Sequence, residues 1–240
     1  YLYYFLKKSP LLSINPRYLC RAGAVWKRMI SIGVPAGINS ALMSVATVLL
    51  NNALVSYGDK PLAAMGIVTK AYMLIVFIHM GITNGIQPLL GYCFGAGEKK
   101  RFLSIMKFSG LLTVGCGTVL SLFYILFSRQ VMGAFILDEE VIAYGTQMLR
   151  AVSMAGPVLG LLFLSINSMQ AINRPLPAAL LSVCRQGLFF IPLLYLLKSW
   201  FGLPGINYTQ TTADYLTIVI SLGLLKSAAG AFAEKGQEID

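Results

Sequence analysis

The chain has 240 residues, 57% of them hydrophobic and only 12% charged, with a formal net charge of +10. Soluble domains carry roughly twice that charged fraction, so the composition excludes a soluble globular protein, and with it the nucleic-acid binding that such basicity would imply in a soluble chain. In a bilayer the unit that counts is an apolar run able to cross about 30 Å of hydrocarbon, roughly 20 helical residues.

Residues 1–24 combine an aromatic opening with Lys7-Lys8, Pro10, Pro16 and Arg17, and read as a cytoplasmic connector from a preceding lobe. The order from apolar to basic is the reverse of a signal peptide, and the missing initiator Met suggests that residue 1 is not the natural start. A first helix is expected from Val25 to Ser56, with Tyr57-Gly58-Asp59-Lys60-Pro61 as its outer turn. The second runs from Leu62 to Tyr92 and ends in Gly91, Gly95 and Gly97, before the cluster Lys99-Lys100-Arg101. The third covers Phe102 to Phe127, and an outer loop leads to Asp138-Glu139-Glu140, acids suited to a helix N-terminus. A fourth helix is expected without interruption from Val141 to Ile172. Asn173-Arg174-Pro175-Leu176-Pro177 is an inner turn, the fifth helix continues to Trp200, and Gly202-Leu203-Pro204-Gly205 is the next outer turn. The sixth occupies Ile206 to Phe232, leaving Ala233 to Asp240 as a polar cytoplasmic tail. Long apolar runs without strand-like alternation favour a bundle over a barrel, so the fold class is an all-α integral membrane protein whose six transmembrane helices, within 25–232, form one lobe.

Charge placement sets the expected orientation. With a cytoplasmic N-terminus, Lys7, Lys8, Arg17, Arg21, Lys27, Arg28, Lys99, Lys100, Arg101, Lys107, Arg174 and Lys235 fall inside, against Lys60, Arg129 and Lys198 outside. Both termini are then cytoplasmic, in a plasma-membrane protein. Cys20, Cys93, Cys116 and Cys184 have no metal-ligand spacing and read as small packing residues, so no metal site is expected.

The candidate substrate-binding residues are polar side chains inside the apolar runs. Gly33, Gly37, Ser40, Ser44, Thr47 and Asn51 form one small and polar stripe on the first helix, with Asn39 at its flank, and such a stripe serves either helix packing or a wet cavity. The second helix adds His79, the one histidine, and Gln87. Histidine takes up a proton near neutrality, so His79 is either a proton sensor or a neutral hydrogen-bonded ring. Asn167 and Gln170 share a face of the fourth helix. Lys70, Arg150 and Arg185 lie within spans, where a charge needs water or a partner; Arg185 lies deepest. Asp214 follows Thr209, Gln210, Thr211 and Thr212, and reads as helix-end polarity. No nucleophile and base are suitably spaced, so an enzyme is not expected.

Gln87-Pro88-Leu89-Leu90-Gly91-Tyr92-Cys93-Phe94-Gly95-Ala96-Gly97 resembles the second helix of the C-terminal half of the multidrug and toxic compound extrusion (MATE) family. Gly33-Val34-Pro35, the stretch from Gln170-Ala171 through Arg174-Pro175 to Arg185-Gln186-Gly187-Leu188-Phe189-Phe190-Ile191-Pro192, and Gly202-Leu203-Pro204-Gly205-Ile206 with Ala213-Asp214 beyond match in order and spacing. The resemblance implies a two-lobe exporter that exchanges organic cations or other amphipathic compounds for H⁺ or Na⁺, with this chain as the C-terminal lobe and an N-terminal lobe, the lipid bilayer and a small-molecule substrate as its partners. In relatives that bind Na⁺ through this lobe, acids stand at the places of Met43 and Asn167. Their loss implies a coupling ion bound outside this half, and no cofactor is expected. Asn84, Cys93 and Asn173 also depart from the usual pattern. The alternatives are a lipid-linked precursor flippase of the same superfamily, which the interior cations would suit, and an inactive or split lobe needing a partner half.

Overall fold

The computed structural model describes residues 23–237, and every regular element among them is a helix. The expected connector lies outside the described residues except for its last two positions, as does the end of the tail at 238–240. Two compact units divide the chain, residues 1–37 and 38–240. The first contributes the opening of α1 (Gly23–Val55). The second holds the remainder of α1 and then α2 (Asp59–Gly95), α3 (Lys99–Leu126), α4 (Ser128–Gly133), α5 (Glu139–Ser153), α6 (Gly156–Ala171), α7 (Pro175–Val183), a π-helical turn over Cys184–Phe189, α8 (Phe190–Phe201) and α9 (Leu203–Gln237).

Gly37–Val55, α2, α3 and Leu176–Phe201 are each long and apolar enough to cross a bilayer, and α5 and α6, bent by 48° at the break between them, pass the same test if taken together as one broken span. The sixth helix, α9, is built inside out: Asn207, Thr209, Thr211, Asp214, Thr217 and Ser221 are buried, while Tyr215, Leu216, Val219, Ile220 and Leu222 are exposed. Polar residues within a membrane helix belong on the bundle side, and this arrangement explains the weak apolar signal of the segment. Two apolar clusters hold the second unit together. One joins Val68 and Ile75 of α2 to Met148, Leu159, Phe190 and Leu194; the other joins Leu90 and Cys93 to Phe102, Met169, Ile172 and Ala178.

Several helices begin earlier than expected, because a proline in the first turn gives up only an N–H that has no intrahelical acceptor. α2 starts at Asp59 with Pro61 in that turn, and α9 at Leu203 with Pro204 in it, so the outer turn before α9 shrinks to Gly202. α9 also continues to Gln237, through most of the expected tail. The loop after α3 contains α4, whose Met132 packs so closely on Gly145 of α5 that a Cβ there would collide with it. Asp138 caps α5 by accepting from the N–H groups of Glu140 (2.9 Å) and Val141 (3.3 Å).

The expected fourth helix is not continuous over Val141 to Ile172. Pro157 has no N–H for the Ser153 carbonyl, and the N–H groups of Ala155 and Val158 turn to Val152 and Ala155 instead. This frees the carbonyls of Ala151, Ser153 and Met154. Each is taken by a hydroxyl of a neighbouring helix: Thr211 donates to Ala151 (2.7 Å), Ser121 to Ser153 (2.6 Å) and Tyr215 to Met154 (3.2 Å). Glycines admit the close approach, since a Cβ on Gly156 would strike Ser121 and one on Gly117 would lie 2.5 Å from the Gly156 oxygen. All three freed carbonyls are therefore paired again, while the Ser153 hydroxyl is buried without a partner.

Candidate functional site

On α1 the polar stripe takes no part in packing within the second unit. Ser40, Ser44, Thr47 and Asn51 are exposed and Asn39 is half-buried, whereas Ala46 and Ala53 are buried on the opposite side. The hydroxyls of Ser44 and Thr47 donate back to Ser40 (3.1 Å) and Met43 (2.9 Å) on the preceding turn. Met43 itself is exposed. At the far end of α1, Lys198 of α8 donates to the Ala53 carbonyl (3.3 Å) and the Ser56 hydroxyl (2.9 Å), placing a cation at the negative end of the helix.

The glycine-rich segment forms the junction of α2 and α6. Gln87 donates to Gln170 (3.4 Å), and a Cβ on Gly91 would lie 3.5 Å from the Ala171 oxygen. α2 stops at Gly97, with φ of +73°, where the Glu98 N–H returns to Cys93 (2.9 Å) and the Gly97 N–H to Phe94 (3.3 Å). α6 stops in the same way at Asn173, with φ of +59°, where the Arg174 N–H returns to Met169 (2.9 Å) and the Asn173 N–H to Gln170 (3.1 Å). Asparagine is the residue besides glycine that enters this backbone region most easily, which accounts for Asn173 at a glycine position. Asn167, nearly two turns earlier, is buried.

The lobe interior holds a charge pair that the sequence reading separated. Arg185, on the π-helical turn, donates through Nε to Asp214 Oδ1 (2.6 Å) and through Nη2 to Oδ2 (3.3 Å), and Gln210 adds a bond to Oδ1 (3.0 Å). The Asp214 side chain is fully buried and that of Arg185 is 14% exposed. Helix-end polarity was the wrong reading of Asp214: its partner lies on the neighbouring element, and linear spacing does not reveal it. The signal was present, since an interior arginine demands an anion and Asp214 is the acid within a span. Tyr72 Oη near the pair, and Gln186 Oε1 and Asn207 Oδ1 on the same two elements, are buried without a hydrogen-bond partner.

Among the remaining interior cations, Arg150 donates to the Ile125 carbonyl (3.2 Å) and the Ser128 hydroxyl (2.8 Å) where α3 ends, and Lys70 is exposed on α2. His79 is fully buried, with Nδ1 2.7 Å from the Ile75 oxygen and Nε2 3.1 Å from the Thr113 oxygen. The structure thus brings Gln87 and Gln170 together, leaves Ser40, Ser44 and Asn51 on an open face, and sets His79, Asn167 and Arg185 in the interior. Among the described residues no group of three or more His, Cys, Asp or Glu could hold a metal ion, and Cys93, Cys116 and Cys184 are free thiols.

Residues 35–196 match the MatE family. The chain is 27% identical over 222 residues to the multidrug export protein MepA of Staphylococcus saprophyticus, covering 92% of this chain and 49% of that protein. It is 26% identical over 225 residues to MepA of Staphylococcus aureus, with the same coverage. Among solved structures, the Vibrio cholerae MATE transporter VcmN in its bent form superposes with a TM-score of 0.81 at 17% identity, over 88% of this chain and 48% of that one. A MOP superfamily transporter of Pyrococcus furiosus, described as having a binding pocket of reversed polarity, superposes with a TM-score of 0.83 at 16% identity, over 96% and 53%. The chain spans about half the length of the curated relatives it matches.

Proposed function

Since this chain belongs to the MatE family, we propose that it forms the C-terminal six-helix half of a plasma-membrane multidrug exporter, which exchanges an organic cation or another amphipathic compound for H⁺ or Na⁺. The observation that carries this reading is the open polar face of α1. On this row of Ser40, Ser44, Thr47 and Asn51 the Ser44 and Thr47 hydroxyls are bonded to their own helix, but the exposed Asn51 amide, turned away from its own lobe, is costly against hydrocarbon and inexpensive against a wet pathway or a second lobe. Substrate then meets these residues with Gln87 and Gln170. The driving ion acts outside this half: Met43 and Asn167 carry no charge, and Asp214 is already held by Arg185. The reaction is transport, not catalysis.

The test is thiol accessibility in the transporter assembled with its other half. Ser44→Cys and Asn51→Cys should react with a membrane-impermeant maleimide and be protected by a transported cationic dye, while Leu122→Cys on the outer face of α3 should not be protected. Unreactive thiols at both α1 positions would sink the reading.

One observation favours the flippase alternative, the exposed Lys70. Arg185 and Arg150 no longer support it, because the first is neutralised by Asp214 and the second is bonded where α3 ends. Protection of Ser44→Cys by an anionic lipid-linked sugar in place of the dye would reverse this preference.

A further inference from the structure

Leu111, Leu112, Gly115, Cys116 and Val119 of α3, with Ile78 of α2, line an apolar groove of about 470 Å³ that belongs neither to the Arg185–Asp214 pair nor to the open stripe of α1. Leu111, Gly115 and Val119 are exposed along it. Gly117, two residues further on, is pressed against the Gly156 backbone, but a Cβ on Gly115 would meet nothing within 4 Å. No close contact inside the lobe therefore requires this glycine, and its missing side chain deepens the groove. From Leu111 to Val119 a helix rises about 12 Å. That is most of the ~15 Å that one leaflet contributes to the hydrocarbon core, so the groove has the length of a leaflet's acyl chain.

Toward the start of α3 the same side of the helix becomes cationic. Lys100, Ser104, Lys107 and Leu111 are all exposed and fall within about 60° of one another at about 100° per residue, and Gly115 continues the row. Lys107 is one turn from Leu111. Helix side chains lean toward the N-terminus, so its ammonium is carried away from the groove and toward the Lys99 end, where the membrane surface lies. α3 has no acidic residue to neutralise this row. Glu98, just before the helix, bonds Arg101 (3.2 Å), and among the described residues neither Lys100 nor Lys107 has an ion pair.

We propose that this groove binds an anionic phospholipid of the leaflet at the Lys99 end: one acyl chain lies along Leu111 to Val119 over Gly115, and the phosphate is held by Lys107 and Ser104, with Lys100 beyond them. An apolar groove alone selects nothing in a bilayer, because every acyl chain fills it equally. Two unpaired lysines and a hydroxyl at one end of it make the choice depend on the headgroup, since an anionic phosphate both offsets the lysine charges and accepts from all three donors. A lipid seated there touches α2 and α3 at once, so it favours the folded lobe by mass action. The site rests on the membrane-spanning fold and not on which compound is exported.

The probe is phosphatidylglycerol with a diazirine midway along one acyl chain, added to phosphatidylcholine nanodiscs that hold the transporter assembled with its other half. Illumination should label α3 between Leu111 and Val119, and unlabelled phosphatidylglycerol should compete better than the same amount of phosphatidylcholine. Lys100→Gln and Lys107→Gln should each lower that preference about fivefold, the usual worth of one basic residue at an anionic membrane surface. Gly115→Leu places its side chain in open space, so it should keep the thermal unfolding midpoint measured in phosphatidylcholine while losing the label from the groove. Equal competition by the two lipids overturns the proposal, as does label spread evenly onto the exposed Leu122, Phe123 and Leu126 of the same helix. An undiminished groove label in a folded Gly115→Leu overturns it too. Cross-linking of two copies through Leu111→Cys, in place of lipid labelling, would give the groove to a second copy and defeat the lipid assignment.

Discussion

Arg185 and Asp214 are each tolerable in the interior only because of the other. Breaking a buried ion pair by removing one partner costs about 3–5 kcal/mol, because the remaining charge stays buried, whereas replacing both by apolar groups is often neutral. Arg185→Met and Asp214→Leu should therefore each lower the thermal unfolding midpoint in detergent sharply, and the double variant should recover most of the loss. A double variant as unstable as either single would show that the pair does not stabilise the lobe. At this scale the sequence announced the need but not the solution. The depth of Arg185 was plain from its neighbours, while burial of Asp214 depended on which way α9 turns. Asn173 was legible as a departure from glycine and became intelligible only with its left-handed backbone.

The bend between α5 and α6 shows how the carbonyls freed at a break in a helix can be paired again by hydroxyls of its neighbours. Ser121 replaces the donor that Pro157 lacks, so Ser121→Ala should cost about 1–3 kcal/mol by leaving the Ser153 carbonyl unpaired. In a Pro157→Ala background a backbone N–H is available again, and the same substitution should cost clearly less. Equal losses in the two backgrounds, measured by chemical unfolding, would separate Ser121 from the bend. Gly160→Ala should be harsher, as its methyl group would sit 2.5 Å from His79 and 2.7 Å from Thr113 Cβ. The Gly156-Pro157 signal was visible in the sequence, yet prolines also occur inside continuous membrane helices. The hydroxyls that decide the matter come from α3 and α9, far along the chain.

For the whole molecule, the loop charges lead us to expect the Gly97 end in the cytoplasm and the Gly202 turn outside. Cysteines introduced at Lys100 and Gly202 should react from opposite sides of the membrane, and reaction from the same side would refute that topology. Six helices were legible because bilayer thickness dictates their length. Which faces stay open was not, because that depends on how the helices turn against one another, as the exposed Ser44 and buried Asn167 show. The inside-out α9 also bears on how the chain is made. A segment carrying Asn207, Gln210 and Asp214 is a poor substrate for insertion by itself, as one aspartate at the centre of a helix costs about 2.5–3.5 kcal/mol on the insertion scale. It should enter the membrane efficiently only once the π-helical turn is already there to receive Asp214. In a translocon assay residues 203–223 alone should insert poorly, and better behind residues 175–201. If so, the last helix completes the lobe as a latecomer, and Arg185 acts as its docking point during synthesis.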